Sequence, residues 1–429
     1  VLAELLSREN LIGQPQAAQL MLGGGLNAPR LKFQARGHMV LVEALNAVSI
    51  LDAVQKNESN RNELWSLNLH NTREAPGQTA SQISTIQALE KSPGTYLVQF
   101  QDGWKLPLGE AAVLGDGVVA LLTREGLMGV EPVSGRKMWL REDVRGDSRV
   151  HAMGANLLVV EMDTDGTPKS TRLIRAADGV GVPGTDLAQP YRRKLLVTGS
   201  TLIHSRDLPS GGTSVVASGP SGGKEMWQVD IPAGSRFAEE DQAGVISWVE
   251  PEGRFRRIAS ENGRDLFSAR VDPLHAQGAT PRVLMDSERL YLLLDKQSAP
   301  GAMVSSNFNT ATGVRQVAAN GELYAFDRAT GKTAWRVSTK NQMLVAENFE
   351  NMPVILFSSR YTKPGNGNAR QNVGAFLSID KKSGKRLMDE ERPNLQQFQN
   401  FKIDSKRGRI ELEAPGSRIV HQVTGPGGK

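Results

Sequence analysis

The chain has 429 residues, 51 Lys and Arg against 46 Asp and Glu, 39% hydrophobic residues, 44 glycines, 21 prolines and no cysteine. The lack of cysteine excludes disulfides, thiolate metal sites and cysteine nucleophiles. An excess of five basic residues over this length is too dilute for a nucleic-acid footprint. So much glycine and proline favours a turn-rich all-β chain over a helical one.

Length allows two or three ordinary domains or one large repeat domain. No apolar run reaches membrane-span length and no signal-peptide pattern is visible. The first residue is Val, so the chain is expected to be a piece of a longer or processed polypeptide.

Residues 1–29 differ from the rest. Leu2, Leu5, Leu6, Leu11, Ala17, Ala18, Leu20 and Met21 keep helical spacing around Gly13-Gln14-Pro15, which predicts a short helical segment left from an upstream region. Gly23-Gly24-Gly25 and Asn27-Ala28-Pro29 then form a linker of breaker residues, and residues 30–429 are expected to be a separate domain.

From Arg30 the strands begin. Residues 38–43 and 47–52 read as a strand pair, completed by 63–69 around Trp65 after a polar insertion at 56–62. The polar stretch 71–93 lacks period-2 alternation and reads as a loop with room for one short helix, before a hairpin at 95–108. Four-stranded units are expected at 112–139, 149–187, 191–231, 235–271, 281–338 and 351–390. A last set at 402–404, 409–413 and 417–423 is able to pair with the first strands and close a ring, leaving no open sheet edge.

One stretch exposes the repeat. In GELYAFDRATGKTAWR (321–336), Leu323 and Ala325 alternate with Tyr324 and Phe326, Asp327 opens a turn that Gly331 closes, and Trp335 follows four residues after that glycine. The same step joins Gly135 to Trp139 and Gly223 to Trp227. Gly263 leads to Phe267, Gly384 after Asp380 leads to Met388, and Gly179 stands without its aromatic. Successive turn glycines are 44, 44, 40, 68 and 53 residues apart. A four-stranded propeller blade takes roughly 40 to 50 residues, so the last two steps carry insertions. The expected fold is a closed β-propeller of seven or eight four-stranded blades, with Trp139, Trp227 and Trp335 in equivalent places on the outer strands.

The units GELYAFDRATGKTAW, GLMGVEPVSGRKMW and VSILDA…ELW resemble the pyrroloquinoline-quinone-like (quinoprotein-type) β-propeller repeat family over about residues 37–423. The resemblance implies blades whose Trp packs between neighbours, and a periplasmic or otherwise extracytoplasmic location. Enzymes of that family typically carry a vicinal Cys-Cys disulfide, a calcium held by acidic and amide side chains, and a catalytic Asp. No Cys and no matching cluster occurs here, so the quinone site is not carried over and no cofactor is expected.

Other motif matches fail on context. Asp163-Thr-Asp165-Gly166 lacks the later ligands of a calcium loop and reads as a hairpin turn. Gly179-Val-Gly181-Val-Pro-Gly184 is not followed by a helix-opening sequence. Gly219-Pro-Ser221-Gly-Gly223 falls where the repeat puts a turn, and Gly331-Lys332-Thr333 lacks the first glycine of a phosphate loop. The six histidines, 38, 70, 151, 204, 275 and 421, show neither helix-face nor strand-alternate pairs. Arg192-Arg193-Lys194, Arg254 with Arg256 and Arg257, and Lys406-Arg407 with Arg409 lack interleaved aromatics and read as solvated strand edges.

The insertion 298–320, SAPGAMVSSNFNTATGVRQVAAN, is the stretch the repeat does not explain, and long loops on rigid scaffolds gather binding residues. Asn307, Asn309 and Arg315 are its candidate recognition residues; residues 363–372 form a second, similar insertion. Two functions remain. One is a non-catalytic binding or scaffold module whose partner is a protein or other domains of the same polypeptide, without nucleic acid. The other, implied by the resemblance alone, is a quinone-dependent oxidoreductase.

Overall fold

The computed structural model describes residues 31–44, 47–54, 63–70, 83–88, 96–219, 225–240, 242–296, 308–309, 314–346, 348–364, 370–393, 400–404, 407–414 and 417–422. The chain divides into two compact units, Val1–Asp207 with Ser214–Val229 and Leu208–Thr213 with Asp230–Lys429. The expected helical segment and linker at 1–29 lie outside the described residues.

In the first unit, Leu31–Arg36, Met39–Ala44, Ala47–Asp52 and Glu63–Asn68 (β1 to β4) pair in chain order. Ile83–Ala88, Tyr96–Phe100 and Lys105–Pro107 (β5 to β7) make a three-stranded sheet. Ala112–Leu114, Val119–Thr123, Gly126–Val130 and Lys137–Arg141 (β8 to β11) return to four strands, as do Arg149–Met153, Asn156–Met162, Pro168–Arg175 and Gly181–Val182 (β12 to β15). After the single helical turn Ala188–Tyr191 (α1) come Lys194–Thr198, Thr201–Asp207, Thr213–Ser218 and Glu225–Ile231 (β16 to β19).

In the second unit, Arg236–Phe237, Glu239–Glu240, Val245–Val249, Arg254–Ala259 and Asp265–Arg270 are β20 to β24. β20, β22, β23 and β24 form a four-stranded sheet, while β21 leaves it to pair in parallel with Ala279–Met285 (β25), which follows the short helix Pro273–Ala276 (α2). Arg289–Lys296, Phe308–Asn309, Val314–Asp327 and Thr333–Val345 (β26 to β29) extend that sheet, and Val354–Pro364, Arg370–Asp380 and Arg386–Pro393 (β30 to β32) join it through the pair Leu344 and Phe357. Asn400–Asp404, Arg409–Ala414 and Ser417–Gln422 (β33 to β35) form a last three-stranded sheet. The architecture is nearly all-β, and the up-and-down order of its four-stranded sheets is that of propeller blades.

Burial explains why period 2 is faint in the middle of each sheet. Every residue of β9 and β10 is buried, because strands covered on both faces read as continuous apolar runs. The outermost strands β19 and β24 keep mostly exposed positions.

The turn signature has one geometry throughout. The N–H groups of Gly135, Gly179, Gly263, Gly331 and Gly384 each donate to the carbonyl four residues earlier, at 2.8–2.9 Å. Asp327 Oδ1 accepts from the Thr330 N–H at 2.8 Å and from its hydroxyl at 2.7 Å, and Asp380 treats Ser383 likewise. At Gly179 and Gly384 a positive φ and a ring overhead both demand glycine. A Cβ would lie 2.8 Å from Trp139 at the first and 2.7 Å from Trp335 at the second. Gly135 sits under Trp65 in the same way. Each indole also donates to the carbonyl three residues before its glycine: Trp65 to Pro132, Trp139 to Ala176 and Trp335 to Lys381, at 2.8–2.9 Å. Phe267 packs edge-on against Phe255 and Phe326. Trp227 is half-buried on β19, and Gly223 lies outside the described residues.

Three expectations are corrected. Within 71–93, residues 83–88 are a strand, not loop or helix: Ile86 pairs with Val98, and β-branched side chains suit that half-buried pleat. The insertion 298–320 ends in strand, because Val317 and Ala319 are buried and pair with Leu344 and Gln342. The second insertion, 363–372, shrinks to 365–369, since β30 and β31 stay in register out to Pro364 and Arg370.

Candidate functional site

A cavity of about 540 Å³ opens in the first unit between the segment 185–190, Arg193 and strands β17 to β19. The segment is pinned: Asp186 Oδ1 accepts the Thr171 N–H at 2.8 Å, the Thr171 hydroxyl at 2.9 Å and the Ala188 N–H at 2.9 Å. Burial raises the Asp186 carboxyl, but these donors outweigh it and hold the group below the usual carboxylate range. Across the cavity, Arg193 meets Asp207 at 2.5 Å, and Arg206 meets Glu225 at 2.6 Å and Gln228 at 2.9 Å. His204, buried on β17, lies 3.2 Å from the Ser218 hydroxyl through Nε2, and burial pushes its pKa down, so the ring is neutral at pH 7. The cavity thus presents paired donors and acceptors of both charges.

A second group of ionisable side chains gathers where the first strands of successive sheets approach one another. Lys32 on β1 stands opposite Glu43 on β2. Glu43 is buried and accepts from the N–H groups of Ala111 at 2.9 Å and Ala112 at 3.3 Å. Arg149, 2% exposed on β12, meets Glu110 at 2.7 Å. His151, two residues on and so on the same face, lies 2.7 Å from the Tyr191 hydroxyl, which Lys194 also reaches at 3.2 Å. Burial, then the positive charges of Lys194, Lys32 and Arg149, holds His151 well below its ordinary pKa.

Glu43 provides a pH test. Burial lifts its pKa from 4.5 to about 7 against the two N–H bonds. The folded chain therefore binds this proton more tightly than the unfolded one, a contribution full below pH 4.5 and lost as pH rises through about 7. Between pH 5 and pH 8, wild type is expected to lose about 3 kcal/mol of stability relative to Glu43→Gln. Urea unfolding of both proteins at the two pH values measures this; parallel curves would show an unshifted carboxyl.

Other candidates from the sequence fall as follows. Asn309 and Arg315 lie on adjacent strands β27 and β28, where Asn309 pairs with Val314 and Phe308 with Arg315; Asn307 lies outside the described residues. Asp163 and Asp165 shape a hairpin turn, the Thr167 N–H donating to Asp165 at 2.9 Å. The basic triplet at 254–257 is not a solvated edge: Arg257 is buried against Glu240, and Arg256 lies 4.9 Å over the Trp248 ring. Lys194 likewise turns inward to Tyr191. Among the described residues, no three His, Cys, Asp or Glu side chains converge as metal ligands, and no helix is long and apolar enough to cross a membrane. The cavity and the inner cluster were invisible to sequence reasoning, because their members are scattered over 32–225 and share no spacing.

No protein-family model and no curated protein matches the chain. Among solved structures it is similar to BamB from Moraxella catarrhalis, with 12% identity over 93% of this chain and 95% of that one at a TM-score of 0.34. It is also similar to the quinohemoprotein alcohol dehydrogenase from Comamonas testosteroni, with 13% identity over 90% of this chain and 70% of that one at 0.36. The WD40 domain of SCAP from fission yeast matches at 10% identity over 91% of this chain and 95% of that one at 0.38. TM-scores this low leave the fold to be read from the chain's own sheets.

Proposed function

We propose that this chain is a non-catalytic β-propeller of seven or eight blades, closed by its terminal strands, that serves as a binding or scaffold module within a larger protein. One observation carries the reading: the cavity beside α1 has walls of already-paired charges, Arg193 in the turn before β16 with Asp207 on β17, and Arg206 on β17 with Glu225 on β19. Such a surface offers oriented donors and acceptors to a polar partner at little ordering cost. The 298–320 segment, with Asn307, Asn309 and Arg315, supplies a second recognition surface in this reading, and the partner is a protein or another domain of the same polypeptide in an extracytoplasmic compartment.

The test uses the full chain as bait in a cognate extract, beside Arg206→Ala and a variant with 298–313 replaced by a short Gly-Ser turn, which keeps the buried strand residues Val317 and Ala319 in place. Each change is expected to leave the melting temperature nearly unchanged and to lower capture of a protein that wild type retains. Equal capture by both variants removes these surfaces from recognition. Quinone-dependent dye reduction by the intact chain, with calcium added, would favour the oxidoreductase instead.

A further inference from the structure

The guanidinium of Arg149 is incompletely satisfied. Its Nε meets Glu110 at 2.7 Å and its Nη1 makes long contacts to the Asp147 and Ser148 carbonyls at 3.3 and 3.5 Å. Its Nη2 is fully buried and, among the described residues, has no acceptor. A buried donor on a charged group without a partner is costly, so something outside the chain is expected to accept from it. The surroundings set the sign of that acceptor. Lys194 and Lys32 both lie close enough to act electrostatically on His151 together with Arg149, and Glu110 is the nearby anion that Arg149 meets and that also acts on Lys194. Lys32 packs its stem against Gly109, where a Cβ would lie 3.8 Å from the Lys32 Cβ, and its charge acts on both His151 and Lys194. Glu43 spends its oxygens on the Ala111 and Ala112 N–H groups. His151, held neutral, and Tyr191 add a polar wall without charge.

We propose that Arg149, Lys194 and Lys32 hold a small oxyanion, a carboxylate or a phosphate group, against the first strands β1, β12 and β16 of the first unit. Arg149 supplies the oriented donor that the fork geometry of guanidinium makes suited to paired oxygens, and the two ammonium groups supply charge. This site is distinct from the cavity beside α1, whose lining includes none of Arg149, Lys194, Lys32 or Tyr191.

Thermal melts of the full chain at constant ionic strength, with inorganic phosphate, acetate or chloride, test the proposal. A saturable rise in melting temperature is expected with phosphate or acetate and not with chloride, because a ligand bound only by the folded state stabilises it by mass action. A rise with phosphate alone assigns a phosphate group, and one with acetate alone a carboxylate. Lys194→Gln is expected to weaken the apparent affinity about tenfold or more, as loss of a charge-assisted contact does. Lys32→Gln provides a second variant if Lys194→Gln folds poorly. A crystal soaked in selenate should show an anomalous peak within hydrogen-bond reach of Arg149 Nη2. An ordered water alone at that atom, or shifts equal in wild type and both variants, would overturn the site.

Discussion

Trp335→Ala is expected to lower the unfolding free energy of its unit by about 3–5 kcal/mol, the range of large aromatic truncations in a packed core. Trp335 is 9% exposed, with its ring against Gly384 and 5.8 Å from the Tyr291 ring. Its N–H donates to the Lys381 carbonyl at 2.9 Å. Lys381 is itself buried: its ammonium donates to the Phe349 carbonyl at 2.6 Å, sits 4.3 Å over the Phe349 ring and lies 3.3 Å from Asp286. Removing the indole therefore opens a cavity beside a buried charge and leaves a carbonyl without its donor. Trp335→Phe separates the two effects, keeping most of the volume and losing the hydrogen bond, and should cost nearer about 1 kcal/mol. Urea titrations of wild type and both variants decide it. If Trp335→Ala costs under about 1 kcal/mol, the indole is not an anchor of the sheet-to-turn contact.

Much of the fold was legible because its signals are local. A turn glycine with positive φ, an Asp or Glu that caps the turn and apolar runs on either side all fall within some fifteen residues, as at 321–336. The place where an indole lands is not local. Trp65 on β4 docks on Gly135 in the sheet β8 to β11, past the intervening strands β5 to β7. Residues 83–88 escaped notice because ISTIQA alternates only weakly, and 314–320 because a polar insertion looks the same whether it loops out or prolongs a hairpin. The charged sites were least legible. Lys32, Glu43, Glu110, Arg149 and Lys194 lie on five separate segments, and only the packing of first strands brings them together. Arg257 shows the same limit from the other side: in sequence it is one of three exposed-looking arginines, yet alternation on β23 turns it inward while Arg254 stays exposed.

Arg257→Ala is expected to cost about 3–5 kcal/mol, because it leaves a buried carboxylate without its cation. The Arg257 side chain is 6% exposed and that of Glu240 7%, and the guanidinium reaches Glu240 Oε2 at 3.0 Å through both Nε and Nη2. Nη2 also donates to Gln242 at 2.8 Å, and Ser247 donates to the same carboxylate oxygen at 2.7 Å. The pair has a particular mechanical place. Glu240 lies on β21, which leaves the sheet of β23 to run parallel with β25, so the ion pair ties two adjoining sheets of the second unit. With Arg257 gone, the Ser247 hydroxyl and the Gln242 N–H, 3.2 Å from Oε1, cannot compensate a carboxylate out of water, and the chain's cheapest response is to release β21 into solvent. Hydrogen exchange at Glu240 and Val283 should then accelerate well before global unfolding, whereas exchange in β30 to β32 should follow the global stability. Replacing both partners, Arg257→Met with Glu240→Met, removes the stranded charge and is expected to recover most of the loss, since a buried pair and an apolar pair of similar volume are often close in energy. A double variant as unstable as Arg257→Ala would mean that the cost lies in packing around the arginine stem, and the tie between the sheets would then be steric, not ionic.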